Sequence, residues 1–427
     1  MPATALADSY RWLANPYAFL DEERTRRGAT FWLHLLPRAR ALVTGEPALI
    51  REIAANRDLD AGKGIAVLDG VLGERSLITL DGGEHLARRQ IVGPPLRNHL
   101  KELDEGTLRA TRKELRGLRR NQEFSAYELV RRISLRLILR ALFGDLPDSE
   151  VERAAKLTDD FSNSFRSPLV LFLRPLHIVL GGITPWARLL RRRRRLGAFV
   201  RDRIRVCGPQ PGADRGILGH ILAAAGGLPE DEIVSEVLSL LMFGHDTGAV
   251  TMAWACFHLW SHPEVKLRIR EECRRIPPVD AGGSPSGHVY LEACLKESMR
   301  LCPVVVHLTR VASRPTRIGD YRLPEGTRIY PCAYLAHRDP AVFPRPDEFR
   351  PERFFAGGEY PYSYFPFGLG GRTCVGKDFV SRQMVLILST IVRETELEIA
   401  EGYECRPVRQ MVLMAPVHGT RMVAREC

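Results

Sequence analysis

The cysteines of this chain do not occur in the pairs that bind a metal or build a disulfide framework. Nine cysteines are scattered from Cys207 to Cys427, an odd number without any CxxC spacing, which argues against a zinc site and a small disulfide-stabilised fold. The 427 residues also contain no internal repeat and no Ser/Gly-rich linker, although they exceed the usual length of one hydrophobic core. With 45% hydrophobic residues available to fill a large core, the sequence predicts one domain over residues 1–427.

The N-terminus lacks the features of a targeting sequence. No basic segment followed by an apolar run occurs from Met1 to Tyr17, so we expect neither a signal peptide nor a membrane anchor, and we expect a cytoplasmic protein. A nucleic-acid-binding motif is also missing, although the formal charge is +11 and a run of five arginines extends from Arg191 to Arg195. We therefore expect this run to form a solvated helix face and the protein to bind no nucleic acid.

A glycine-rich loop near the C-terminus presents one cysteine. Residues 367–376 read FGLGGRTCVG and precede an apolar segment typical of a helix. Glycines allow positive φ values and a close approach of the backbone to a flat ring, and backbone N–H groups in such a turn stabilise negative charge on sulfur. Alone, Cys374 would be interpreted as a buried structural cysteine. The glycines around it favour a thiolate that binds a haem iron.

A long apolar stretch begins near Pro229 and ends at Trp260, before the sequence Ser261–Pro263. It predicts one long helix. Gly244, His245, Asp246 and Thr247 interrupt the apolar run at its middle, where a bilayer would penalise polar groups most, so the pattern argues against a transmembrane helix. It favours a buried central helix of a folded domain.

Together the two segments resemble the signature motifs of the cytochrome P-450 superfamily, in its soluble bacterial type. The loop is similar to the haem-binding motif at Phe367, Gly368, Gly370, Arg372, Cys374 and Gly376, and the helix is similar to the oxygen-side motif at Gly244, Asp246 and Thr247. The resemblance implies a mainly α fold with a smaller β portion, a triangular prism in which haem b (iron protoporphyrin IX) lies between the long helix and the cysteine loop.

The same resemblance implies the cofactor contacts. Cys374 is expected to be the metal ligand, because a thiolate pushes electron density towards the iron and favours O–O cleavage. The further expected haem contacts in the two motifs are Gly244, Phe367, Gly368, Arg372 and Gly376.

Asp246 and Thr247 are the residues that the resemblance places in catalysis, with Thr247 orienting a water at the oxygen-binding face and Asp246 relaying protons. Two residues depart from the family pattern: Phe243 stands where Ala or Gly is usual, and Gly248 where Thr or Ser is usual. Phe243 precedes Thr247 by four residues, so its ring is expected to face the haem or the substrate pocket and to narrow it. The small Gly244 and Gly248 are expected to leave room for oxygen.

A set of buried ion pairs is also implied by the resemblance. Glu297, Arg300 and Arg353 match a network that fixes the fold behind the haem, and without the resemblance the first two would be interpreted as an exposed ion pair of little energy.

Cations for the two haem propionates form a further set, because burying carboxylates requires positive partners. The residues that match these positions are His85, Arg89, Arg310 and Arg372. The neighbouring Arg88 is expected to face solvent.

The resemblance also implies substrate contacts, at mostly apolar side chains. The candidate residues are Phe243, Val304, Val305, His307, Val412 and Leu413, together with the loop Gly62–Leu80. Such a lining suggests a hydrophobic small molecule, although any protein core is apolar too. The stretch Ser167–Trp186 is compatible with a mobile lid, a membrane-contacting patch or buried helices, and we favour the lid.

These assignments predict a haem-thiolate monooxygenase that activates O2 and inserts one oxygen atom into an apolar small molecule of specialised metabolism. No flavin or nicotinamide domain is present in the sequence, so a separate ferredoxin or flavodoxin with its reductase is expected to supply electrons, docking near Lys377 and Arg382 by charge attraction. One alternative is a non-hydroxylating oxidation, such as desaturation, oxidative coupling, cyclisation or a peroxide-driven reaction. The other is a non-catalytic haem-binding or sensor protein. We expect a monomer.

The β portion is expected in three places. Thr30–Leu36 and Ala41–Thr44 have strand-like patterns, and Arg317–Tyr330 has the pattern of a hairpin with Pro324 and Gly326 in its turn.

Overall fold

The computed structural model describes residues 3–35, 39–73, 75–98, 100–101, 103–165, 184–208, 215–278, 285–355 and 358–426. Helices dominate these ranges. In chain order they are α1 (Ala3–Ala14), α2 (Pro16–Arg27), α3 (Pro47–Ala55), α4 (Asp69–Leu72), α5 (Gly82–Asn98), α6 (Asp104–Leu115), α7 (Ala126–Phe143), α8 (Asp148–Ser162), α9 (Pro185–Cys207), α10 (Gly216–Ala224), α11 (Glu230–Ser261), α12 (Pro263–Arg275), α13 (Val289–Leu301), α14 (Ala333–Ala336), α15 (Glu352–Phe355) and α16 (Lys377–Glu394).

The strands are short. They are β1 (Thr30–Leu35), β2 (Ala39–Thr44), β3 (Leu59–Asp60), β4 (Glu123–Ser125), β5 (Arg310–Ala312), β6 (Thr316–Ile318), β7 (Tyr321–Leu323), β8 (Arg328–Pro331), β9 (Glu396–Ile399), β10 (Pro407–Gln410), β11 (Leu413–Pro416) and β12 (Arg421–Glu426). The predicted mainly α fold with a smaller β portion is confirmed.

The largest described sheet has five strands in the order β1-β2-β8-β5-β3, with β2 and β8 parallel and the other pairs antiparallel. The two predicted N-terminal strands form its edge. The predicted hairpin is wrong in its turn: β6 pairs with β7 across Gly319, whose φ is +51°, and the segment with Pro324 and Gly326 instead leads to β8 in the large sheet. A tight turn needs a residue that tolerates positive φ, and Gly319 supplies it.

The central helix α11 has the expected bounds. It begins after Pro229 with three acidic residues in its first turn, which suit the positive end of the helix dipole, and it ends before Pro263. By length and composition α11 could cross a membrane, but 78% of its most apolar window is buried inside the fold. Its apolar surface is therefore covered by protein, mainly by α7, which packs along it.

Two apolar clusters meet along α11. Residues of its first half, up to Met242, pack with α7, α9 and α10, whereas residues from Ala249 onward pack with α13 and α16. The segment from Phe243 to Gly248 lies between the two clusters. Here α11 carries its glycines and polar residues, and here it borders a cavity of about 390 Å³.

The arginine run lies in α9, as predicted. Arg191, Arg194 and Arg195 are exposed, whereas Arg193 is partly buried and donates to the carbonyl of Leu72 at 3.4 Å. The run is therefore mostly a solvated helix face.

Candidate active site

A cavity of about 390 Å³ lies where α5, α11, the segment after α13 and the cysteine loop meet. The structure brings to its walls most of the residues that the sequence predicted for a haem site. Those that line it are His85, Arg89, Phe243, Gly244, Thr247, Val305, His307, Arg310, Arg372, Cys374 and Gly376. The remaining lining is largely apolar, and includes Ile65, Leu77, Ile138, Leu240, Phe379 and Val380.

The cysteine loop holds Cys374 through its backbone. The N–H of Cys374 donates to the carbonyl of Phe367 at 2.7 Å, and the turn uses positive φ values at Gly368 (+87°) and Gly370 (+57°). A side chain at Gly368 would also approach the carbonyl of Arg372 to 3.2 Å. Phe367 and Gly368 thus shape the loop, and their surfaces line a neighbouring groove rather than the cavity.

Cys374 is exposed and is one of the residues that line the cavity. Dense protein on its other sides raises the pKa of the thiol, while the backbone N–H of Gly376 lowers it. The protein alone therefore does not hold a free thiolate. A bound iron would, because a metal displaces the thiol proton.

The four side chains predicted to hold the propionates form one wall of the cavity, and the three arginines among them lack enough acidic partners. Arg89 donates to the carbonyl of Thr373 at 2.7 Å, and Arg310 donates to its own neighbour, the carbonyl of Thr309, at 2.8 Å. Burial together with Arg372 lowers the pKa of Arg310 to about 10. Burial, Arg372 and Arg89 lower the pKa of His85 to about 4.

Asp81 is the one acidic side chain that the structure pairs with this wall in the described residues. It accepts from Arg372 and also binds the N–H groups of Ala61 and Gly62, both at 2.8 Å. A group bearing two carboxylates would neutralise the remaining cations. Together with a thiol in the same cavity, this donor set fits haem.

Thr247 and Asp246 lie on different faces of α11. Thr247 lines the cavity, and its hydroxyl donates to the carbonyl of Phe243 at 2.8 Å. Asp246 faces α7, where its Oδ1 accepts from the hydroxyl of Tyr127 at 2.6 Å and from Nε of Arg131 at 3.1 Å. Neighbouring helix residues point about 100° apart, which separates these two side chains. The proton-relay role of Asp246 stays a prediction, and its carboxylate lies on the α7 side of the helix.

The polar cluster around Asp246 extends to the surface. Arg131 also binds the partly exposed Asp159 at 2.6 Å, and Gln410 donates to the hydroxyl of Tyr127 at 2.7 Å. Burial and Asp246 raise the pKa of Tyr127, so its hydroxyl stays a donor. The sequence analysis missed Tyr127, Arg131 and Gln410, because no local spacing links them to α11.

The two glycines of α11 do not leave open space. A Cβ at Gly244 would lie 3.1 Å from Cγ1 of Ile138, and a Cβ at Gly248 would lie 2.9 Å from Cγ2 of Val380. The expectation of room for oxygen is corrected: these glycines let neighbouring side chains close against α11. Phe243 lines the cavity, where its ring was expected.

Arg88 does not face solvent. Its side chain is 4% exposed and binds two carboxylates of α11, Glu236 at 2.6 Å and Glu232, and it donates to the carbonyl of Arg75 at 2.9 Å. Glu236 also accepts from the N–H of Leu77 at 2.7 Å and lines the cavity. The signal in the sequence was Glu236 itself, a carboxylate that follows the first turn of α11 among apolar residues, at a position that is expected to be buried.

The predicted ion-pair network is present. Glu297 and Arg300 are fully buried and form two hydrogen bonds, of 2.7 and 2.8 Å, and Nε of Arg353 reaches Glu297 at 3.2 Å. Arg300 also donates to the carbonyls of His337, Pro346 and Glu348 at 2.9, 2.7 and 3.1 Å. The network thus fastens α13 to the segment that leads to the cysteine loop.

The substrate residues are only partly as predicted. Val305 and His307 line the cavity, but Val304, Val412 and Leu413 do not. Val304 and Leu413 are buried in the cluster around α13 and α16. The carbonyl of Val304 also accepts a hydrogen bond from the N–H of Met414 at 2.9 Å. Val412 lies on the exposed turn before β11. Most of the predicted lid, residues 166–183, lies outside the described residues.

A second hollow, of about 630 Å³, lies between the cysteine loop, α13 and α16. Lys377 and Arg382 both line it. Lys377 is exposed, whereas Arg382 forms two hydrogen bonds with Asp104, one of them at 2.7 Å. Both residues were predicted to dock an acidic partner. The charge of Arg382 is neutralised by Asp104, so Lys377 is the better candidate for that contact.

Comparison with known proteins assigns nearly the whole chain to one family. Residues 9–420 match the family model described as Cytochrome P450. "Putative cytochrome P450 138" of Mycobacterium tuberculosis H37Rv is 30% identical over 412 residues, which cover 94% of this chain and 90% of that protein. "Putative cytochrome P450 135B1" of Mycobacterium bovis is 28% identical over 416 residues, covering 95% and 87%. The solved structure of retinoic acid bound cyanobacterial CYP120A1 has a similar fold, with a TM-score of 0.83 at 21% identity and 97% coverage of both chains.

Proposed function

This chain belongs to the cytochrome P450 family and is a haem-dependent monooxygenase, and we propose that it hydroxylates or epoxidises a hydrophobic small molecule of specialised metabolism. When bound, the haem supplies the activation of O2 and the oxidising power of the reaction. We propose haem b as its form. The observation that carries the proposal is the one cavity that unites the thiol of Cys374, the propionate cations and the apolar wall around Phe243.

The position of each residue in the cavity suggests its role in the reaction. Cys374 would ligate the iron, and His85, Arg89, Arg310 and Arg372 would hold the propionates. Thr247 would hold a water in the cavity, because its hydroxyl donates to Phe243 and can still accept a hydrogen bond. The apolar side chains exclude other water and leave a hydrophobic substrate the favoured occupant.

Asp246 would help to deliver protons from the side of α11 that packs against α7. It lies next to Thr247 in sequence but binds Tyr127 and Arg131, and Arg131 reaches the partly exposed Asp159. This cluster connects the protein surface to α11. A proton could reach the cavity only by a rearrangement of Asp246 or through water, so we propose an indirect role for it.

Electrons would come from a separate ferredoxin or flavodoxin with its reductase. The support is the exposed Lys377 beside the cysteine loop and the overall charge of +11, which attract acidic partners. We further propose a cytoplasmic monomer in which residues 1–427 form a single domain.

A non-hydroxylating oxidation is the second candidate. Phe243 and Gly248 favour it, because the first fills part of the cavity and the second lacks the usual hydroxyl beside Thr247. Products measured with an electron-donor system, and with peroxide alone, distinguish the two reactions.

The central test is a Cys374→Ser variant. The reduced carbon monoxide complex of the wild-type protein should show the red-shifted absorbance of thiolate ligation, and the variant should lose it. Arg382→Gln, on the same side of the loop, is the matched control and should keep that absorbance. Red-shifted absorbance that persists in Cys374→Ser would overturn the proposal.

A further inference from the structure

We propose that Glu236 recognises a positively charged nitrogen at one end of an otherwise apolar substrate. This inference rests on the proposed function and names the class of molecule that the cavity takes. It follows from where Glu236 lies on α11 and from the balance of buried charge around it.

Glu236 is the only acidic side chain among the described residues that line the cavity. It is 2% exposed, yet it borders the same space as Thr247. Leu240, Phe243 and Thr247 follow it at four, seven and eleven residues, so all four lie on one face of the helix. At 1.5 Å per residue the backbone positions of Glu236 and Thr247 are about 16.5 Å apart along the helix axis.

The buried charges next to Glu236 do not balance. Arg88, at 4% exposure, is the one buried cation among the described residues of this group, and it faces two carboxylates, Glu236 and the 15% exposed Glu232. The second arginine of the cluster, Arg75, is half exposed and is shared between Glu232 and the exposed Glu84. The buried guanidinium of Arg88 is therefore shared between the buried Glu236 and the partly exposed Glu232, which Arg75 also pairs. Such a site gains energy from a further cation that is removed from water with it.

The ionisation of Glu236 agrees with this deficit. Burial raises its pKa to about 7, although Arg88 and the N–H of Leu77 lower it. The partners within the protein thus fall short of what burial of the charge costs. A ligand cation in the cavity would supply the missing interaction.

The positions also define the shape of the substrate. Between Glu236 and Thr247 the wall of α11 is formed by Ser239, Leu240, Phe243 and Gly244, and the two large side chains among them, Leu240 and Phe243, suit hydrocarbon. The substrate would therefore be an elongated amphiphile, with its cationic end at Glu236 and its apolar end at the haem. This arrangement would direct oxidation to the end remote from the nitrogen.

The test compares three probes with the same ten-carbon chain: decyltrimethylammonium, 1-decanol and decanoate. The quaternary nitrogen cannot ligate iron, so it reports recognition alone. Calorimetry gives each dissociation constant without turnover, and the haem absorbance shift shows that the probe enters the cavity. We expect the wild-type protein to bind the ammonium probe about tenfold or more tightly than decanoate.

Glu236→Gln keeps the shape and the contact to Leu77 but removes the charge, and the preference should shrink to within about threefold. Glu232→Gln is the matched control, because Glu232 shares Arg88 yet does not line the cavity; it should retain most of the preference.

Three outcomes would overturn the inference. Equal preference in wild type and Glu236→Gln would show that the carboxylate does not contact the ligand, and tighter binding of decanoate would show that the propionate cations set the charge preference. Tightest binding of 1-decanol would assign Glu236 to a neutral hydroxyl. A wild-type protein that showed no haem absorbance would instead refute the proposed function. Calorimetry would still measure its preference for the ammonium probe over decanoate.

Discussion

At the scale of single residues, the structure gives a packing reason for Gly248. A Cβ at this position would lie 2.9 Å from Cγ2 of Val380. Valine on a helix has one strongly preferred rotamer and cannot turn away cheaply. The departure from the family pattern is thus compensated by a neighbour that is 132 positions away in the sequence.

Gly248→Thr should therefore destabilise the protein, although threonine matches the family pattern. We expect the free energy of unfolding to fall by about 1–3 kcal/mol from overpacking. Denaturant unfolding followed by fluorescence measures it. The double variant Gly248→Thr/Val380→Ala should recover part of the loss, and a single variant as stable as wild type would show that the contact with Val380 relaxes freely.

Thr247→Ala tests the hydroxyl in the cavity. Without that hydroxyl no side chain on this stretch of α11 holds a water there, since Asp246 faces α7. We expect about tenfold less product per electron pair consumed, with the difference released as hydrogen peroxide. Thr247→Ser keeps the hydroxyl and should stay close to wild type. Unchanged coupling in Thr247→Ala would remove Thr247 from the mechanism.

The sequence predicted which residues belong to the site better than it predicted the directions in which their side chains point. Cys374, Thr247 and Phe243 reached the cavity because a motif fixes them on elements that border it. Arg88 was misplaced because its partner Glu236 is 148 residues away, and nothing local indicates that a charge on α5 turns inward. The helix period separates the side chain of Asp246 from that of Thr247, but no local spacing indicates the residues of α7 that Asp246 binds.

At the scale of elements, the pair α7 and α11 depends on one buried polar cluster. Asp246 receives hydrogen bonds from Tyr127 and Arg131, both on α7, within otherwise apolar packing. Such a cluster is stable only while every member keeps its partner. Its members therefore differ in what their removal costs.

Arg131→Met should cost about 3–5 kcal/mol of unfolding free energy, because it leaves the carboxylate of Asp246 buried without its cation. Tyr127→Phe should cost about 1–2 kcal/mol, the loss of one buried hydrogen bond with partners left behind. Arg131→Met/Asp246→Asn should restore much of the loss. Equal costs for the two single variants would show that Asp246 does not depend on its ion pair.

Helices and strands were predictable where one sequence pattern extended over most of their length. The bounds of α11 followed from proline, glycine and apolar runs, and β1 and β2 from their strand patterns. The hairpin failed because two turn signals, Gly319 and the Pro324–Gly326 segment, stand close together. Only the pairing of β8 with β2 and β5, a tertiary contact, decides between them.

At the scale of the whole molecule, the order of motifs along the chain predicted the fold, and the contacts between them explain that order. The segment after α13 returns past Arg300 before it reaches the cysteine loop, and His337 accepts the N–H of Phe365 at 2.9 Å at the start of that loop. The ion-pair network and the haem site are thus consecutive parts of one connection. Its long-range hydrogen bonds could not be read from spacing alone.

Glu297→Gln should therefore loosen haem binding as well as the fold. The amide keeps the shape but leaves Arg300 buried without a counter-charge, which costs about 3–5 kcal/mol, and the carbonyls that Arg300 holds belong to the connection to the cysteine loop. We expect a lower haem-to-protein ratio and faster haem transfer to apomyoglobin. Glu352→Gln is the control: it breaks an exposed pair with Arg268, and such pairs contribute little. If both variants lost haem at the wild-type rate, the network would stabilise α13 without supporting the cysteine loop.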